Sequence, residues 1–143
     1  MDNSLEVDIS KPVVVSYDGD TDENGLFTGY GEATFSNQGA YEGDFQLGLF
    51  HGKGKYIWAD QSCFEGDFEH GIISGSGKFQ WQDGSVYVGS VQFGKRHGTG
   101  LYTSKDGQMY DGQWVNGMRE GKGKMYYNAD KSVLYVVSKL IIL

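Results

Sequence analysis

The chain has 143 residues, of which 23 are glycine, about one in six, against a single proline and a single cysteine; an ordinary globular protein carries about 7% glycine. Ten Tyr, eight Phe and three Trp are too many for a solvated coil, glycine without proline or a three-residue period excludes collagen, and the lone Cys63 excludes a disulfide framework or a thiolate zinc site. The formal charge of −7 is unevenly placed, because residues 1–69 hold 14 acids and 3 bases whereas residues 70–143 hold 5 acids and 9 bases.

Residues 1–16 read as an acidic arm with a short strand, lacking the basic-then-apolar pattern of a secretion signal. From residue 17 the chain repeats. Tyr41-Glu42-Gly43-Asp44-Phe45 returns as Phe64-Glu65-Gly66-Asp67-Phe68, Tyr87-Val88-Gly89-Ser90-Val91 and Tyr110-Asp111-Gly112-Gln113-Trp114, always 23 residues on. Counted from the leading aromatic, glycine recurs at the third, eighth, twelfth and fourteenth places of all four copies. A looser copy begins at Tyr17 and runs through Gly19, Gly25, Gly29 and Gly31, with one inserted residue. The repeats are therefore 17–40, 41–63, 64–86, 87–109 and 110–132.

Each copy predicts a β-hairpin. Tyr41, Gly43 and Phe45 alternate with Glu42 and Asp44, a period of two that puts aromatics on one face and acids on the other. A tight turn is expected at the eighth place, with Asn116-Gly117 its strongest form. The return strand is expected to start near the Gly-x-Gly pair and run into Tyr56-Ile57-Trp58 or its equivalents, and Asp83-Gly84 and Asp106-Gly107 turn the chain into the next copy. Glycine this dense opposes helix. Glycine inside a strand also lets a large group lie across the backbone, so rings of one strand are expected over glycines of its neighbour. Together this specifies an all-β, elongated, twisted, single-layer antiparallel sheet of tandem hairpins, ten strands spanning on the order of 45 Å. Residues 133–143 lose the pattern and end in an apolar run. They read as a capping strand, as a sticky edge for self-association, or as the end of a longer array.

The aromatic-x-Gly-x-aromatic unit, the following glycine and the Gly-x-Gly pair, twice preceded by histidine as His51-Gly52-Lys53-Gly54 and His97-Gly98-Thr99-Gly100, resemble the MORN (membrane occupation and recognition nexus) repeat. Thr28, Ser74 and Glu120 replace that histidine in the other copies. The resemblance covers about residues 17–132 and implies a scaffold or binding surface, often ciliary or flagellar, or an appendage that targets a larger enzyme. The run Tyr56-Ile57-Trp58-Ala59-Asp60 followed by Phe64-Glu65-Gly66-Asp67-Phe68 is most similar to the radial-spoke-head type.

No arrangement for catalysis or cofactor binding emerges. His51 and His97 sit two repeats apart, too far to share a metal ion. Asp60, Asp83 and Asp106 recur at steps of about 10 Å, wider than a carboxylate pair needs, and no Gly-x-Gly extends to a dinucleotide fingerprint. Net negative charge disfavours nucleic acid. The reading is thus a non-enzymatic, cytoplasmic protein-interaction scaffold without cofactor or metal, in a ciliary, flagellar, axonemal or cytoskeletal assembly. Tyr41, Phe45, Phe64, Phe68, Tyr87, Tyr110 and Trp114 are its candidate partner-binding rings, unless they only pack the sheet. Lys95, Arg96, Arg119, Lys122 and Lys124 form a candidate basic patch for an acidic protein surface or anionic lipid, unless they are a solvated turn edge.

Overall fold

A computed structural model describes residues 12–127 and the backbone of 133–137. Residues 1–11 of the acidic arm and 138–143 of the apolar run lie outside the described residues. The strands are β1 Val14–Thr21, β2 Phe27–Phe35, β3 Ala40–Gln46, β4 Leu49–Ile57, β5 Cys63–Glu69, β6 Ile72–Gln80, β7 Val86–Gln92, β8 Lys95–Thr103, β9 Met109–Val115, β10 Met118–Tyr126 and β11 Val133–Val137. They form one sheet in chain order, β1 to β11, every neighbour antiparallel. That is one strand more than five hairpins supply, because 133–137 pairs with β10, Val137 opposite Gly123 and Tyr135 opposite Met125.

Register explains the glycines. Tyr41 pairs with Tyr56, Gly43 with Gly54 and Phe45 with Phe50, so one residue of β3, Asp44, faces three of β4 and the surplus forms a bulge around Gly52. Gly52 has φ 63, a left-handed value that residues with a Cβ reach only with strain. Gly54 has a different task. A Cβ there would stand 2.2 Å from the Tyr41 Oη, because that ring lies flat across the strand. The hydroxyl then donates to the Asp44 carbonyl at 2.8 Å. Tyr17, Tyr87 and Tyr110 make the same bond to Asp20, Ser90 and Gln113, at 2.7, 2.6 and 3.1 Å.

The bulge moves the strand boundary. β4 starts at Leu49, three residues before Gly52, and ends at Ile57, with Trp58 just beyond. Pairing persists through the Gly-x-Gly pair because the bulge absorbs the irregular residues, so the return strand starts earlier than its sequence suggests.

The two long margins of the ribbon differ. Along one, Leu47-Gly48, His70-Gly71, Phe93-Gly94 and Asn116-Gly117 make two-residue turns with positive φ at both positions, as type I′ hairpins require. Along the other, Asp60 and Asp83 fold back onto the amides of Ser62 and Ser85 at 2.9 and 2.8 Å. The Ser85 hydroxyl also donates to Asp83, and these two bonds hold its carboxyl below the usual range. Asp60 and Asp83 are therefore turn supports, while in the next turn the Ser104 hydroxyl accepts the Gln108 amide at 3.1 Å.

Candidate functional site

One face of the sheet is a pavement of rings. Tyr41 stacks on Phe50 with centroids 3.9 Å apart and meets Phe45 and Phe68 edge-on at 5.0 and 5.2 Å. Two repeats on, Tyr87 and Tyr110 both meet Trp114 edge-on, at 5.3 and 5.4 Å. The leading ring of one copy thus touches the fifth-place ring of the next, which buries it although the sheet has a single layer.

Tyr41, Phe45, Phe64, Phe68, Tyr87, Tyr110 and Trp114 are all between 0 and 4% exposed. They are core, and the sheet-packing reading of them is the one the burial supports; a partner arriving at the surface meets other groups. Burial has chemical consequences: it pushes the phenol of Tyr87 up to about 12 and raises that of Tyr41 further.

The basic set does not form one patch. Arg96 is 8% exposed and stands at the tenth place of its copy, where Phe50 and Ile73 stand in theirs. Its guanidinium lies 4.6 Å from the Trp114 centroid, 5.4 Å from Trp81 and 5.8 Å from Tyr102. One Nη donates to the Gly117 carbonyl at 2.7 Å, while burial lowers its pKa. Arg119 lies over the Tyr110 ring at 5.4 Å and reaches the Met125 sulfur. Strand alternation sends Lys122 and Lys124 to the opposite face, Lys124 beside Asp111. The five candidate cations thus divide into two ring-face arginines and the lysines, with Lys122 and Lys124 on the other face.

His97 Nδ1 accepts the Asn116 amide at 3.3 Å and so buttresses a turn. The three histidines lie in or next to different strands, His51 in β4, His97 in β8 and His70 in the turn after β5.

The opposite face carries charge. Asp18, Glu32 and Glu42 stand side by side across β1, β2 and β3, followed in register by Lys55, Glu65 and Lys78. Asp67 pairs with Lys53 and accepts the Ser76 amide at 3.0 Å. Burial pushes its carboxyl up, but those two partners outweigh it and hold the pKa below the usual range.

Five exposed apolar groups lie along the turn margin, where the sequence reading placed only basic candidates, while Val13, Val15, Tyr30 and Val88 are exposed elsewhere. Leu26, Leu47, Ile72, Phe93 and Met118 are 41, 66, 42, 68 and 56% exposed, at least one at each of the five hairpins. Their signal was in the repeat: the seventh and ninth places flank the turn glycine, where Asn116 shows what the backbone prefers. Leu47 and Phe93 occupy those left-handed positions instead, at φ 53 and 51.

An open sheet of in-register hairpins, its core one layer of rings over paired glycines, defines a β-hairpin repeat protein. The MORN repeat model matches residues 23–40, 41–63, 64–86, 87–109 and 110–129, so the chain belongs to the MORN repeat family. That family consists of non-catalytic repeat modules for protein or membrane interaction. No curated protein matches the chain.

Proposed function

We propose that the protein is a non-enzymatic scaffold or adaptor that holds protein partners along a stiff β-ribbon in a ciliary, flagellar or cytoskeletal assembly. One observation carries this reading: the rings are consumed by the sheet's own packing, while each hairpin turn presents at least one large apolar side chain to solvent. Regularly spaced anchors on a stiff support suit an extended partner better than a small molecule, which needs an enclosing cavity. The ciliary and cytoskeletal part rests on the resemblance of the repeats around residues 56–68 to the radial-spoke-head type.

The membrane reading is weaker on this geometry. Anionic lipid would need neighbouring cations on one surface, whereas Arg96 and Arg119 turn to the ring face and Lys124 stands beside Asp111. Proximity labelling with the full chain in ciliated cells tests the proposal. Axonemal or cytoskeletal proteins should dominate the labelled set. Labelling of membrane proteins instead, with flotation on vesicles containing phosphatidylserine at low salt, would replace the scaffold with a lipid-binding module.

A further inference from the structure

The turn margin is continuous. The Gly48 amide donates to the Phe27 carbonyl at 3.0 Å, Gly71 to Phe50 at 2.9 Å, Gly94 to Ile73 at 3.1 Å and Gly117 to Arg96 at 2.8 Å. Each turn is thereby tied to the foot of the preceding hairpin, and five separate loops become one ridge. Leu26 lies against the Gly48 turn, its Cδ2 3.7 Å from where a Cβ on that glycine would be. Between Ile72 and Phe93 the ridge dips into a hollow lined by both, together with Ile73, Glu69, His70 and Gln92.

Leu47 and Phe93 are unfavourable where they stand. A bulky side chain with left-handed φ strains the backbone, and both leave about two thirds of the residue in water. Asn116 fills the same place in the last hairpin without that strain. Neither residue contributes to the buried core. Residues that strain the folded backbone and add nothing to its core point to contact with something else.

The spacing indicates what. Neighbouring turns are two strands apart, about 9.6 Å. Seven residues of α-helix rise about 10.5 Å, and the twist of the sheet lengthens the path along its margin. A helix with an apolar residue every seven positions therefore meets the ridge once per hairpin, and about 28 residues reach from Leu26 to Met118. Charge fits a partner of mixed sign. The ridge bears Asp22, Glu23 and Glu69 around its first three hairpins, and Lys95 at the fourth.

We infer that the hairpin-turn ridge of Leu26, Leu47, Ile72, Phe93 and Met118 is a docking surface for a long amphipathic α-helix of a partner protein. The helix carries apolar residues at heptad spacing, with basic residues at one end and acidic residues at the other. This inference rests on the scaffold reading and specifies its partner.

The test uses the full chain and a fluorescein-labelled 28-residue peptide, helix-stapled, with leucine at heptad spacing, lysine in its first half and glutamate in its second. Binding is followed by fluorescence anisotropy against the wild type and the double variant Leu47→Asn/Phe93→Asn. Asparagine suits both backbone positions, so the variant keeps the fold, which its thermal melt verifies. Micromolar binding is expected, at least tenfold weaker in the variant and also when the peptide leucines become serine. No binding at 100 µM peptide, or equal binding by both proteins, overturns the ridge. Two other results also overturn it: the wild type sedimenting as a dimer that the variant abolishes, which makes a second copy the occupant, or wild-type flotation on phosphatidylserine vesicles lost in the variant, which makes it a membrane. Anisotropy reads the ridge alone, so its failure is distinct from a failure of the cellular location tested by proximity labelling.

Discussion

Residues 41–63 and 87–109 build the same hairpin from different fillings. In the first, Tyr41 stacks on Phe50 and meets Phe45. In the second, Tyr87 keeps its place, but Val91 stands where Phe45 did and Arg96 where Phe50 did. The guanidinium fills the space left by a ring, lying over Trp114 and capping the Gly117 carbonyl. What the two hairpins share is fixed by the backbone: the leading tyrosine, the glycine pair beneath it, the bulge glycine and the turn. What differs is packing volume, which the fold accepts in several chemical forms.

The shared part should be the least tolerant, and equally so in both hairpins. An alanine Cβ at Gly54 would stand 2.2 Å from the Tyr41 Oη, and one at Gly100 would stand 2.3 Å from the Cζ of Tyr87. Neither ring can retreat, since each is held edge-on by neighbours. Gly54→Ala and Gly100→Ala are each expected to cost about 3 kcal/mol, the upper range for overpacking, read as a fall in the urea midpoint. A cost below about 1 kcal/mol at either site would show that the ring–glycine contact is not what fixes the hairpin.

The variable part should depend on shape more than on charge. Arg96→Ala removes a buried side chain from among three rings and is expected to cost about 2–3 kcal/mol. Arg96→Met keeps most of the volume, relieves the burial of a charge and is expected to lie within about 1 kcal/mol of wild type. Should Met be as damaging as Ala, the cation–π contacts and the Gly117 bond, rather than filling, hold the second hairpin together.

How much of this was legible follows from the same division. The 23-residue period, the aromatic-x-Gly-x-aromatic alternation and Asn116-Gly117 are local, and they gave the hairpins, their order and the all-β class. Burial of Tyr41 by Phe68, 27 positions on, is a contact between copies, so the accessibility of the rings could not be read from one repeat. Lys95-Arg96-His97 misled for a related reason. Strand alternation sends Arg96 to the face opposite its neighbours, and the rings of Trp81, Tyr102 and Trp114 make that face hospitable to it.

The intervening hairpin, 64–86, adds a pH-dependent element. Asp67 has a carboxyl pKa below its usual value, so the folded state binds its proton less readily than the unfolded chain. Its contribution to stability is complete above the unfolded value of about 3.9 and disappears as pH falls through the lower folded value. Asp67→Asn keeps an acceptor for the Ser76 amide and removes the charge beside Lys53. Wild type should exceed the variant in urea midpoint at pH 7, with the gap closing below pH 4. A gap unchanged between pH 7 and pH 3 would mean that shape rather than charge sets the role of Asp67 at the bulge.

The smallest effect bears on the feature that both hairpins share against their own interest. Leu47 and Phe93 hold left-handed backbone at φ 53 and 51, and both side chains are exposed. Asparagine tolerates that conformation better than leucine or phenylalanine and is the favoured first residue of a type I′ turn. Leu47→Asn and Phe93→Asn should each raise stability by about 0.5–1 kcal/mol, the range in which matched backbone substitutions act. The sites lie four strands apart and share no partner, so the gains should add. Thermal melts of the two single variants and the double variant read this directly. A rise in melting temperature would show that the native residues are kept at the expense of folding, which is what a contact surface requires. A fall would show that Leu47 and Phe93 stabilise the turns themselves, and the two hairpins would then differ in nothing but their filling.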